Sequence, residues 1–335
     1  MRERPRRNSE SCWLVSPGCA EIRQSELAPL EEGEARVRTL YSAISRGTET
    51  LVFHGLVPKS EHARMRAPFQ DGDFPGPVKY GYINVGVVES GPAELLGQTV
   101  FCLYPHQTLY QVPVGALTAI PKSLPAERAI LAAGMETALN ALWDSEIKVG
   151  DRVVVVGAGV IGTLAAYLAN QVAGTEVLLV DVDEGKRAIA HALAIPFATS
   201  ADVGHDADVV FHATGHAAGL ATALGVAGLE ARIVELSWYG DREVAAPLGQ
   251  SFHAKRLVLQ SSQVGRLPAS QQARWNYARR LACAMKLLGD PALDALITGE
   301  SAFADLPTAL GEICAPQSRA LCHRVRYPAS PQKES

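Results

Sequence analysis

A chain of 335 residues in which 47% are hydrophobic can bury a sizeable core and is long enough for about two domains. Its formal net charge of −4 supplies no basic field for phosphate backbones or anionic lipid, which argues against nucleic acid or a membrane surface as partner. No uninterrupted apolar stretch reaches the roughly 18 residues of a membrane-spanning helix, so a soluble, cytoplasmic protein without a membrane span is expected.

The N-terminal stretch MRERPRRNSES carries arginines with no apolar segment behind them, which predicts a solvated, disordered tail and not a secretory signal. The six cysteines, Cys12, Cys19, Cys102, Cys283, Cys314 and Cys322, form no CxxC pair. They are expected to be buried free thiols of a reducing compartment, not zinc ligands or disulfides.

From about Cys12 to Ile120 the runs EARVRTLYSAI, YINVGVVES, QTVFCLY and TLYQVPV, separated by Gly, Pro and acidic turns, predict an irregular β-rich domain. Between them FHGLVPKSEHARMRAPFQDGDFPGPVKY has no period and reads as a long surface excursion, the kind of loop that borders a binding site. PKSLPAERAILAAGMETALNALWD then has helical spacing. After Val149–Gly150 the character changes: DRVVVVG, TEVLLVD, ADVVFHATG, EARIVELSWYG and RLVLQSSQVG are continuous apolar runs, as strands covered on both faces require, with helical stretches such as TLAAYLANQVAG and EGKRAIAHALA between them. Repeated strand–helix units specify a parallel sheet in an α/β domain. From about Ala292 the chain returns to β character in LITGESAF and RALCHRVRY and is expected to fold back onto the first domain. The predicted divisions are residues 1–122 with 292–335, and 123–291.

The strand DRVVVVG runs directly into GAGVIG, with Gly157, Gly159 and Gly162 in the G-x-G-x-x-G spacing and a helix following at once. The next predicted strand ends in Asp181, where a dinucleotide-binding unit places an acid. Gly157 lets the chain turn tightly, Gly159 lets backbone approach a pyrophosphate, and Gly162 lets the helix pack on the strand. The phosphates would rest on the exposed N–H groups at the helix start, at Val160 and Ile161, where the helix dipole favours negative charge. Asp181 would accept hydrogen bonds from the adenosine ribose and repel a 2′-phosphate, which predicts NAD over NADP; Lys186 and Arg187 nearby are basic groups that could receive such a phosphate. Thr214 and Gly215 in HATG and Ser237 in ELSWYG close two further strands at the edge where ligands of open parallel sheets bind, and are candidates to touch nicotinamide or ribose.

Together with the order of domains, the segments ISRGTE, GYINVGVVE, METALNAL and GAGVIG resemble the medium-chain dehydrogenase/reductase superfamily, that of the zinc alcohol dehydrogenases, from about Ala28 to Tyr327. The resemblance implies an α/β protein with a Rossmann parallel-sheet coenzyme domain and a β-rich, GroES-like catalytic domain. In zinc-dependent members the metal is held by a Cys in an ICGTD-like motif, a His in a GHE motif and a Cys or Asp shortly before the Thr of the helix leading to the nucleotide domain. The matching positions here are Ser45, Tyr82 and, near Thr137, Ala133 or Gly134, none of them a thiolate, imidazole or carboxylate. The four-cysteine lobe of structural zinc is also missing. The resemblance therefore implies a zinc-free member with no metal ligands.

Without a Lewis acid, hydroxyl donors must stabilise a developing alkoxide while one group relays the proton. Tyr82 and the Ser45 or Thr48 hydroxyl are the candidates to hold the substrate oxygen, with Glu49 orienting them or carrying the proton; pairing of Glu49 with Arg46 is the structural alternative. His106 in LYPHQTLY is a second acid–base candidate, against a hydrogen-bonded loop histidine. Glu136 in METALNAL either meets substrate or makes a local salt bridge. His253, Lys255 and Arg256 either line a cleft mouth or form a solvated basic edge.

The resulting expectation is a zinc-independent, NAD(P)-dependent oxidoreductase acting on a secondary alcohol or carbonyl. The alternatives are an NADPH-dependent quinone or enone reductase and a non-catalytic dinucleotide-binding protein. ISRGTE combined with GY in place of GH is also similar to the bacteriochlorophyllide hydroxyethyl dehydrogenases, which would make a chlorin alcohol the substrate. The apolar strand RLVLQSSQVG, left bare at a sheet edge, predicts pairing with a second copy, hence a homodimer.

Overall fold

The structure, a computed structural model, describes residues 7–199, 204 and 206–328. The chain divides into two units, Met1–Ala133 with Ile297–Ser335, and Gly134–Leu296. The divisions drawn from sequence after residues 122 and 291 fall earlier, before the first of the helices that follow Pro125 and at the start of the 3-10 segment Pro291–Leu296.

In the first unit, β1 (Arg7–Ser16) and β2 (Cys19–Leu27) form an antiparallel hairpin around Pro17 and Gly18, whose φ of +77° suits glycine. The strand begins inside the stretch expected to be a disordered tail; Met1–Arg6 lie outside the described residues. The reading failed because the inward positions Ser9 and Ser11 are polar, yet Ser9 is buried with its hydroxyl donating to the carbonyl of Leu109 at 2.6 Å. After β3 (Glu34–Ile44) comes α1 (Arg46–Phe53), followed by the short β4 (Asp71–Gly72) and β5 (Val78–Lys79) within the aperiodic excursion. Then follow β6 (Asn84–Ser90), β7 (Thr99–Cys102), β8 (Leu109–Pro113), β9 (Thr118–Ala119) and α2 (Ala126–Ala129).

One irregularity in β3 bears on the site. Its buried residues alternate through Ala35, Val37 and Thr39, then the register against β6 slips between Thr39 and Tyr41. An extra residue reverses which side chains face inward, so that Ser42 is fully buried.

The second unit carries α3 (Ala132–Ser145) from its third residue, Gly134, onward, then β10 (Arg152–Val156), α4 (Val160–Ala169), β11 (Glu176–Val180), α5 (Arg187–Ala192), β12 (Phe197–Ala198), β13 (Ala207–His212), α6 (Ala217–Val226), β14 (Ala227–Glu235), β15 (Val258–Ser261) and α7 (Tyr277–Leu287). Among the described residues its sheet has the order β12-β11-β10-β13-β14-β15, all neighbours parallel. In order of appearance this is 3-2-1-4-5-6, the doubly wound arrangement whose direction reverses between β10 and β13. The carboxyl ends of those two strands carry the glycine turn and the HATG turn. Helix α4 stops at Ala169, short of the predicted Gly174, because residues 172–174 turn instead, with Gly174 at φ +73°.

The C-terminal segment supplies β16 (Ile297–Ala302), α8 (Leu306–Ile313) and β17 (Cys322–Arg326) to the first unit, where β17 pairs antiparallel with β3, Arg324 opposite Ala43. Helix α8 was read as part of a β region. Its buried Leu306, Ala309, Leu310 and Ile313 have the helical i, i+3, i+4, i+7 spacing, and Pro307 sits in its first turn. All six cysteines are free; Cys12, Cys102, Cys314 and Cys322 are buried, but Cys283 is half-buried and Cys19, next to the hairpin turn, is exposed. Among the described residues no helix is long and apolar enough to cross a membrane.

Candidate active site

In the first unit the chain leaves β3 at Ile44 and enters α1 with Ser45 at the cap position, so Ser45, Thr48 and Glu49 occupy one helical turn. Tyr82, just before β6, reaches this turn: its hydroxyl donates to Ser45 Oγ at 2.5 Å and lies 3.1 Å from Thr48 Oγ1. Three hydroxyls thus meet at one point. The phenol packs edge-on against Tyr80, with ring centroids 6.2 Å apart. Burial, helped by the nearby Glu49 charge, raises the Tyr82 pKa above its ordinary value despite the opposing Ser45 and Thr48 hydrogen bonds, so Tyr82 is a neutral hydrogen-bond donor at physiological pH.

Glu49 does not turn to Arg46 in this arrangement. Its Oε1 accepts the Ser45 backbone N–H at 2.7 Å, and its Oε2 lies 3.0 Å from His106 Nε2, both side chains being almost wholly buried. His106 Nδ1 in turn lies 2.7 Å from Ser42 Oγ, and Ser42 Oγ lies 2.9 Å from the Tyr327 hydroxyl. The pair is therefore clamped at both ends. Gly81 leaves room for the imidazole: at φ +119° a Cβ there would stand 2.9 Å from His106 Cδ2. Cys12 is close enough for the Glu49 charge to act on it, and burial with that charge pushes its thiol up to about 12, leaving it protonated. The sequence reading missed Ser42 and Tyr327; only the slip in β3 and the pairing of the C-terminal strand bring them in.

The positions resembling zinc ligands hold Ser45 and Tyr82 hydroxyls, and among the described residues no three His, Cys, Asp or Glu side chains are grouped so as to hold a metal ion. Neutral hydroxyls are poor zinc donors, so this set does not fit the metal.

In the second unit the glycine turn fits a dinucleotide. Gly157 has φ +110°, and a Cβ there would meet the backbone of Ala213 at 2.9 Å; a Cβ on Gly162 would overlap the carbonyl oxygen of Gly157 at 1.9 Å. Gly159, by contrast, faces open space. It occupies the cap position of α4 and offers no side chain to the N–H groups of Val160 and Ile161, the arrangement that receives phosphate oxygens. Asp181 Oδ2 accepts the Ala158 N–H at 2.7 Å and Oδ1 the Asp183 N–H at 2.9 Å, which fixes the carboxylate beside the turn. Arg187 is held by Glu184, donates to the Phe197 carbonyl at 3.0 Å and lies over the Phe197 ring, while Lys186 is buried. The Arg187–Glu184 pair lies at the surface, with half or more of each side chain exposed.

Thr214, Gly215 and Ser237 are brought together: the Gly215 N–H donates to Ser237 Oγ at 3.0 Å, and Thr214 Oγ1 lies 2.6 Å from His212 Nε2. Glu136, on α3, belongs to a buried ion pair with Arg280 of α7 at 3.0 Å, and burial raises its pKa against the pull of that arginine. Its salt-bridge reading is the one with a visible partner. Lys255 donates to the Ala227 carbonyl at 2.7 Å, Arg256 pairs with Glu230 at 2.8 Å, and His253 is exposed.

No protein-family profile matches the chain. A segment of 144 residues is 31% identical to an uncharacterised zinc-type alcohol dehydrogenase-like protein of Haemophilus influenzae, covering 39% of this chain and 42% of that one. Over 296 residues the chain is 24% identical to the D-guloside 3-dehydrogenase of Escherichia coli, covering 79% and 84% of the two chains. A solved short chain alcohol dehydrogenase from E. coli CFT073, complexed with NADH, superposes with a TM-score of 0.75 at 16% identity over 95% of this chain and 99% of that one. The chain has the fold of the medium-chain alcohol dehydrogenases, a Rossmann parallel-sheet domain joined to a β-rich domain.

Proposed function

We propose that the protein is an NAD(H)-dependent oxidoreductase that interconverts a secondary alcohol and its ketone without zinc, with Tyr82, Ser45 and Thr48 on the substrate oxygen. The observation that carries this reading is the meeting of three hydroxyls, backed by the buried Glu49–His106 pair, at positions that resemble those of zinc ligands. A polyol or sugar-derived alcohol is the favoured substrate class, supported by the likeness to D-guloside 3-dehydrogenase over most of both chains.

When bound, NAD⁺ supplies the acceptor for the hydride. Tyr82 takes the alcohol proton as it passes its own to Ser45 Oγ, 2.5 Å away, and that hydroxyl releases one to solvent. Thr48 Oγ1, at 3.1 Å from Tyr82, holds the phenol in line. Glu49 and His106 act as positioning groups: the carboxylate grips the Ser45 N–H and so fixes where the Ser45 hydroxyl points. In the reverse direction the same hydroxyls donate to the ketone oxygen as it gains negative charge.

The test is oxidation of a panel of polyols, sugar alcohols, simple secondary alcohols and a hydroxyethyl chlorin with NAD⁺, alongside elemental analysis. Turnover of a secondary alcohol by protein free of zinc, undiminished by chelator, is expected. Stoichiometric zinc would refute the zinc-free part; enone reduction with NADPH alone, or NADH binding with no turnover, would favour the two alternatives. Preference between cofactors gives a second prediction: the Asp181 carboxylate beside the glycine turn favours NAD, so kcat/KM is expected to be at least about tenfold higher with NAD⁺ than with NADP⁺. An advantage for NADP⁺ would overturn it.

A homodimer belongs to the same proposal. Among the described residues strand β15 is an outer strand of its sheet, and Val258 and Leu259 are 44% and 38% exposed, an apolar edge suited to pairing with a second copy. Light scattering is expected to give twice the chain mass, and a concentration-independent monomer would rule the pair out.

A further inference from the structure

His212 and Glu235 end the adjacent strands β13 and β14 directly opposite each other, and form a buried unit that the proposed chemistry leaves unused. His212 has no exposed side-chain surface, and its Nδ1 lies 2.7 Å from Glu235 Oε2. The same carboxylate oxygen accepts the Tyr239 hydroxyl at 2.9 Å, while Oε1 accepts the Ser237 N–H at 2.7 Å. On its other side His212 Nε2 lies 2.6 Å from Thr214 Oγ1. The Thr214 turn leans on the glycine turn: a Cβ on Gly157 would stand 3.0 Å from Thr214 Cγ2. Resting on the dinucleotide-binding reading above, we propose that His212 is a positioning residue whose protonation, through Thr214, tunes the affinity of this site for the dinucleotide.

The chemistry follows from what an imidazole can donate and accept. With His212 neutral and Nδ1–H donating to Glu235, Nε2 can only accept, so it consumes the Thr214 hydroxyl proton. Protonated, Nε2–H donates to Thr214 Oγ1, and the hydroxyl proton is released to another acceptor: the His216 carbonyl at 3.3 Å, or an oxygen of the ligand. The freed hydroxyl gives the ligand a donor that it lacks at high pH, so NADH binds more tightly as pH falls.

The other groups facing His212 are few. Tyr239 has its pKa raised by burial and by Glu235, and stays neutral. Glu235 has its pKa lowered, the His212 hydrogen bond and charge prevailing over burial, so it stays ionised. Arg242 lies farther out, donating to the carbonyls of Tyr239 and Gly215 at 3.0 and 3.1 Å, and His216 is an exposed residue at the cap of α6. From α6 itself it is Gly219 that approaches, a Cβ there standing 2.8 Å from His212 Nε2.

The experiment is NADH titration by fluorescence between about pH 8.5 and about pH 6, in about 0.5 M salt so that long-range charge is screened. The wild-type Kd is expected to fall about threefold or more across that range. Thr214→Val keeps the methyl against Gly157 but removes the hydroxyl, and is expected to flatten the profile; Thr214→Ser restores it, and His212→Asn abolishes it. Far-UV circular dichroism confirms folding, and if the His212 variant fails to fold, the Val and Ser pair decides alone. A wild-type profile that is flat, or one that survives in Thr214→Val, overturns the inference while leaving dinucleotide binding intact. No NADH binding by wild type at any pH overturns both.

Discussion

Tyr82→Phe is expected to lower kcat by about 10²- to 10³-fold while KM for the alcohol changes little. The size is that of removing one donor aimed at an oxygen that gains charge in the transition state, about 3–4 kcal/mol. The phenyl ring keeps the edge-on contact with Tyr80, and Ser45 and Thr48 remain in place on α1, so the variant should fold with an unchanged melting temperature. Its missing hydroxyl breaks the step between substrate oxygen and Ser45 Oγ, which water can replace only in part. The raised pKa of Tyr82 excludes a phenolate mechanism near neutrality, so wild-type activity should show no acid limb attributable to this residue. Steady-state kinetics of the purified variant checks all of this, and unchanged turnover would remove Tyr82 from the chemistry.

Gly162→Ala is expected to weaken NADH binding by at least about tenfold and to destabilise the second unit by about 1–3 kcal/mol, the range of an overpacked core position. The new methyl would lie 1.9 Å from the Gly157 carbonyl oxygen, a backbone atom that cannot swing away as a side-chain tip could. Relief requires α4 to withdraw from β10 or the glycine turn to open, and both displace the N–H groups of Val160 and Ile161 from a bound phosphate. Gly159→Ala is the contrasting case: nothing stands within 4 Å of its Cβ, so the fold should tolerate it and any loss should appear in cofactor affinity alone. Thermal unfolding and NADH titration of the two variants separate packing from ligand approach. A Gly162→Ala protein with wild-type affinity would refute the role given to the turn.

Much of the second unit was legible because its determinants are local. Continuous valine runs mark strands covered on both faces, and the spacing of Gly157, Gly159 and Gly162 dictates the turn between β10 and α4 whatever lies elsewhere. The first turn of α1 was legible too, since Ser45, Thr48 and Glu49 are neighbours in sequence. The partners of those groups were not. Helices α7 and α8 went unread, and with α7 the arginine that occupies Glu136.

By itself the sequence determined the glycine turn, the acid that follows it at Asp181, and the hydroxyl-bearing entry to α1. Tertiary structure decided that Glu49 meets His106 and not Arg46, that Ser42 and Tyr327 close the clamp, and that His212 pairs with Glu235. The reason is physical: a turn is set by the dihedral freedom and size of consecutive residues. Which side chain faces which across strands depends on register, and in β3 a single inserted residue reverses the inward face just before the site.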